Sequence, residues 1–200
     1  HVRSRRQRQM CIRDRYNFSY VIEVSVNTKH YITDRYHPLP PDYIPEDLVR
    51  APVPFIAPVY DMKRCISLVA YEPLRKMFKA CFKEGLNLMG ISAFRSYDRQ
   101  KELYENSVRE HGREYAYSHV AMPGTSEHQT GLAIDVSCPG VDYDLCEEFE
   151  KTPEGIWLRK NASAFGFTFS FTKENSSFTG YVNEPWHIRY ICKDAAYYDL

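Results

Sequence analysis

Two hundred residues with 44% hydrophobic content suffice for one folded domain with a buried core. A formal net charge of +0 excludes the strong cationic field on which nonspecific nucleic-acid binding depends, so no nucleic-acid partner is expected. No apolar run approaches the ~20 residues needed to span a bilayer, and no signal peptide is visible.

Residues 1–16 form a basic segment, with six arginines between His1 and Arg15. It is expected to be disordered or an artefact of sequence assembly, in which case any signal or anchor would lie upstream. Residues 17–60 read as an N-terminal arm. Residues 20–26 alternate as a strand, and His37-Pro38-Leu39-Pro40-Pro41-Asp42-Tyr43-Ile44-Pro45 is rigid and extended. Residues 61–200 read as the main folded domain. Within it, residues 62–84 place Ile66, Val69, Leu74, Met77, Phe78 and Phe82 near helical spacing, interrupted by Pro73. Residues 88–94 predict a strand leading to Arg95. Residues 98–110 predict a helix capped by Ser96 or Asp98.

Residues 132–136 read as a short buried strand, apolar except for Asp135. Residues 152–165 predict a third helix, ended by Gly166. Residues 181–191 are aromatic-rich and β-leaning, and residues 195–200 read as the start of a helix. There are no internal repeats. The whole predicts an α+β fold, a small antiparallel sheet flanked by helices in a single domain.

The chemistry lies between His128 and His187. A lone acid inside an apolar run is costly unless its charge is compensated, by a cation or by an arginine. His128 stands seven residues before Asp135, and His187 follows 52 residues after it. Two histidines and a carboxylate make a three-ligand set that leaves a fourth position for water, the arrangement of catalytic zinc sites. Glu184, three residues before His187, suits a general base for that water. On a regular strand Glu184 and His187 would face opposite sides, so a kink at Pro185 is expected. Trp186 is either the floor of a substrate groove or a core aromatic. Arg189 reads as a structural ion-pair partner.

The other candidates are bland. No CxxC pair occurs, so a structural zinc knuckle is not expected. Cys138 and Cys146 flank a Pro-Gly loop and could bridge, which spacing alone does not establish, whereas Cys65 and Cys81 read as small apolar helical residues. His1, His30, His37, His111 and His119 read as surface or structural, with His119 the nearest to the site.

The pattern Ser126-x-His128-x-x-Gly131-x-Ala133-x-Asp135, with Glu184-x-Trp186-His187-x-Arg189-Tyr190, resembles the zinc D,D-carboxypeptidases of the VanY type. Their wider group includes D-Ala-D-Ala dipeptidases and L,D-carboxypeptidases. A third block, Ser92-Ala93-Phe94-Arg95-Ser96-Tyr97-Asp98-Arg99-Gln100, agrees with it. The resemblance implies one catalytic zinc ion on His128, Asp135 and His187, with Glu184 activating its water. It implies that Arg95 holds the oxyanion or the substrate carboxylate, and that Ser126 and Gln100 line the substrate site. The implied reaction removes the terminal D-alanine of peptidoglycan stem peptides in the cell envelope or outside the cell. The same site would also suit an L,D bond or an endopeptidase. A wall-binding module without catalysis would have no use for Glu184. A monomer is expected. The chain departs from the family pattern at Ala93-Phe94, where Gly-Tyr is usual, at Met122, where arginine is common, and at residues 167–171, which lack a basic residue. The first of these should remove a hydroxyl from the substrate wall, so the departures bear on substrate preference.

Overall fold

The structure, a computed structural model, describes residues 28–198. The basic segment at 1–16 and the strand expected at 20–26 lie outside the described residues. In chain order the elements are β1 (Tyr31–Ile32), β2 (Leu48–Arg50), β3 (Cys65–Ser67), α1 (Leu68–Lys83), β4 (Met89–Ser92), α2 (Tyr97–His111) and α3 (Arg113–His119). They continue with β5 (Ala133–Ser137), α4 (Pro153–Asn161), β6 (Phe167–Phe169), α5 (Ser176–Thr179), β7 (His187–Tyr190) and β8 (Ala196–Tyr197). The class is α+β, as the sequence predicts.

The central sheet has the order β4-β5-β7-β6 and is antiparallel throughout. Strand β5 is buried on both faces. Ile134 and Val136 point into an apolar core shared with α1, β7 and α4. Period-2 alternation therefore turns Ala133, Asp135 and Ser137 to the opposite face. Helix α1 buries Ala70, Leu74, Met77, Phe78 and Cys81, the three-and-four spacing of an amphipathic helix, against the same core. Gly90 in β4 lies under the Phe55 ring, where a Cβ would come within 2.6 Å of Cε2. The absence of a side chain there lets the 51–57 segment close over the sheet.

Several elements differ from their sequence expectation. The helix expected over 62–84 begins only at Leu68. Asp61 caps a short 3-10 turn, Met62–Arg64, by accepting from the Lys63 amide. Residues Cys65–Ser67 then pair antiparallel with β2. Ile66, which fits helical spacing equally well, is fully buried on this strand, and cross-strand pairing prevails over local periodicity. Cys65 is accordingly a strand residue, while Cys81 packs in the helix as expected. Asp47 caps α1 from outside, accepting from the Ser67 hydroxyl at 2.5 Å and the Leu68 amide at 3.0 Å. Helix α1 runs through Pro73, forgoing one ladder hydrogen bond.

Ser96 caps α2, accepting from the Arg99 amide at 3.3 Å. Helix α4 passes into a 3-10 turn, Ala162–Phe165, and ends on left-handed Gly166. Among the described residues 195–198 there is no nascent helix. Strand β8 pairs parallel with β1, Tyr197 stacks on His37 at 4.0 Å, and its hydroxyl donates to Asp34. These aromatic partners exist only in the folded chain and override local propensity. Cys138 and Cys146 are free thiols, not a bridge.

Candidate active site

The site is a row across the polar face of the sheet. Ser92 of β4, Asp135 of β5 and His187 of β7 are register partners, and directly opposed residues share a face. His128 reaches the row from a 3-10 turn, Glu127–Thr130, that ends on Gly131 at φ +70°. A Cβ at Gly131 would lie 2.9 Å from Leu48, so glycine serves both the backbone angle and the close approach.

One ligand atom from each of His128, Asp135 and His187 lies within 4.8 Å of the others, and all three residues are buried. The histidines are oriented by their second nitrogens. His128 Nδ1 donates to the Ala93 carbonyl at 2.6 Å, which leaves Nε2 facing Asp135 Oδ2 at 3.1 Å. His187 Nε2 lies 2.8 Å from Glu127 Oε2, which leaves Nδ1 facing Asp135 Oδ1 at 3.0 Å. Two imidazole nitrogens and a carboxylate so converging, each backed by a second contact, fit a divalent ion such as zinc. Burial alone would raise the Asp135 carboxyl, but His128 and His187 hold it far below the usual range. Burial pulls the His187 imidazolium down, yet its contacts with Asp135 and Glu127 push it up to about 10. Burial lowers His128.

Arg95 is not a surface residue. It donates to Gln100 Oε1 at 3.0 Å and Ser92 Oγ at 3.3 Å, and stands 3.5 Å from Asp135 Oδ2. Gln100, itself buried, donates to the Ala121 carbonyl at 2.7 Å. Glu184 precedes β7, its amide bonded to the Phe171 carbonyl and its own carbonyl accepting from the His187 amide. That turn over Pro185 replaces strand geometry, so Glu184 and His187 both reach the cavity. Burial pushes the Glu184 carboxyl up to about 7.

A cavity of about 560 Å³ opens over the row. Its walls include Arg95, Gln100, Ser126, Glu184, Trp186 and all three donors. The residues singled out from the sequence are thus brought together. Trp186 lines the cavity and packs partly buried against the core. His119 also lines the cavity, stacked on Tyr115 at 3.8 Å, but stands outside the donor cluster. Phe94 does not line it. It is buried and faces a separate hollow with Lys63 and Arg99, so the departure from Gly-Tyr does not alter this wall.

Glu127 is the residue that sequence reasoning missed. It is buried between His187 and Arg189, whose Nε donates to Oε1 at 2.8 Å. The signal was present: Arg189 read as an ion-pair partner, and an acid adjoins His128.

The D-alanyl-D-alanine carboxypeptidase family model named VanY matches residues 63–193. The putative carboxypeptidase YodJ of Bacillus subtilis (strain 168) is 42% identical over 165 residues, which is 82% of this chain and 60% of that one. The chain thus spans less than two thirds of that relative's length. Among solved structures, the LD-carboxypeptidase LdcB superposes with a TM-score of 0.76 at 41% identity, covering 81% of this chain and 76% of that one. A mutant of the vancomycin-resistance D,D-pentapeptidase VanY, in complex with Zn(II), gives 0.65 at 28%, covering 80% and 86%. With 131 matched residues containing every donor and wall residue of the row, the chain belongs to the VanY family of D-alanyl-D-alanine carboxypeptidases.

Proposed function

We propose that this chain is a zinc-dependent carboxypeptidase that removes the C-terminal D-alanine of peptidoglycan stem peptides, acting in the cell envelope or outside the cell. The observation that carries it is the convergence of His128 Nε2, Asp135 and His187 Nδ1 beneath a cavity that also holds Glu184 and Arg95. A single zinc ion held by these donors would polarise the scissile carbonyl and bring a water's pKa towards ~7.

The remaining work falls to side chains. Glu184, its carboxyl raised by burial, takes the proton of the attacking water and returns it to the leaving amine. Arg95 is fixed by Gln100 and Ser92, so its guanidinium meets an oxyanion or a substrate carboxylate without reorganising. Ser126, Gln100 and Trp186 form substrate wall.

A second reading is cleavage of an L,D bond by the same groups. It is favoured by the higher TM-score and identity to the LD-carboxypeptidase LdcB. The test offers the protein two peptides, one ending D-Ala-D-Ala and one ending in an L-residue followed by D-alanine. Products are read by mass. Release of D-alanine from either, abolished by EDTA, supports the proposal, and the preferred peptide selects the bond. Cleavage only at internal cross-links, or binding without cleavage, would overturn it.

A further inference from the structure

We infer that Glu127 is a positioning residue of the metal centre: through its hydrogen bond it fixes which nitrogen of His187 is free to bind the ion. The inference rests on the metal-centre reading above. An imidazole offers a metal only a nitrogen that carries no proton, so the tautomer must be set by whatever the other nitrogen touches. His187 stands between two carboxylates, Asp135 Oδ1 at Nδ1 and Glu127 Oε2 at Nε2. Asp135 is shared with His128 and belongs to the donor cluster. Glu127 is not in that cluster. An ionised carboxylate can only accept, so Glu127 keeps a proton on Nε2, and Nδ1, which faces the donor cluster, is the nitrogen that gives up its proton when an ion binds.

Glu127 is itself held. Its second oxygen accepts from Arg189 Nε at 2.8 Å. Arg189 lies two residues beyond His187 on β7 and so on the same face. The three side chains form a closed chain, His187 to Glu127 to Arg189, anchored on one strand. His128 has only a neutral carbonyl, Ala93 O, behind it. The two imidazoles are thus tuned differently: a carboxylate behind a ligating histidine raises its basicity and locks its ring, a backbone carbonyl less so. A glutamine at 127 has one oxygen for two donors. Whichever of His187 and Arg189 it satisfies, its amide nitrogen confronts the other.

The full chain, stripped and reloaded, tests this without any substrate. Zinc affinity is measured by competition with a chromophoric chelator, and the ligand field by the visible spectrum of the cobalt(II)-loaded protein. Glu127→Gln should weaken zinc binding by roughly 10–100-fold and shift the cobalt bands. Glu127→Asp, which keeps the charge but withdraws it by one methylene, should restore part of both. Loss of a merely structural ion pair would lower the melting point of the metal-free chain but leave both readings unchanged. A Glu127→Gln protein matching a zinc-binding wild type in affinity and spectrum would overturn this inference alone. Should that variant fail to fold, the same two readings on Glu127→Asp decide it. A wild-type chain that binds no zinc would overturn the metal centre and this inference with it.

Discussion

Single atoms set the chemistry of the row. Glu184 sits where burial disfavours its charge, and the work proposed for it is proton transfer. Glu184→Gln should therefore keep zinc and fold while kcat falls by about 10²–10⁴-fold; a variant turning over normally would reassign the base, with cavity-lining His119 the next candidate. Arg95→Ala should cost about 1.5–3 kcal/mol for each charge-assisted hydrogen bond lost. Comparing free and C-terminally amidated peptides separates its two roles. If Arg95 holds the carboxylate, amidation harms the wild type and barely affects the variant. If it serves the oxyanion, both substrates lose equally in the variant. Cleavage of both peptides at equal rates by the wild type would indicate an endopeptidase. These residues were legible because their types are costly outside such a site: an acid in an apolar run, and a carboxylate three residues before a histidine. Glu127 was not, because its meaning depends on Arg189 and His187 arriving beside it from 60 and more residues away.

At the scale of elements, legibility followed how much of the pattern was local. Helices α2 and α4 declared themselves through local signals, a capping Ser96 at the start of the one and Gly166 closing the turn after the other. Residues 65–67 did not, since their partners lie 15 to 19 residues upstream and helical spacing ran on through them. The C-terminal strand was hidden for the same reason, its partner being at residues 31–32. Helix α1 is the slab on which the sheet rests. Leu74, fully buried among Phe78, Ile134 and Ile188 in that core, tests this. Leu74→Ala should lower unfolding stability by about 2–5 kcal/mol. The denaturant midpoint should fall with the slope unchanged, and metal affinity at saturating stability should be kept.

Over the whole molecule, the proposed metal site would couple folding to ion binding. The donor row draws on β5, β7 and the 127–130 turn, so no short segment carries it, and a ligand that binds only the native chain stabilises it by mass action. Zinc at about 100 times its dissociation constant should add about 2.7 kcal/mol, read as a rise in melting temperature that EDTA reverses. The pH sign follows from His187, which holds a proton up to about 10 in the metal-free chain. That proton must leave before Nδ1 can ligate, so binding should release acid. Apparent affinity should climb by about tenfold per unit as pH rises from neutrality towards that value. A flat profile would place the proton elsewhere. The register of β5 against β7 carries one more consequence. Asp135 alternates with Ile134 and Val136, so a slip of one residue would bury the acid in the apolar core and present isoleucine to the cavity. Such a chain could still be compact, but it could not load an ion. On the proposed zinc reading, metal capture would be a checksum on the protein's own registry, and the fraction of a preparation that took up zinc would count the molecules whose strands had zipped correctly.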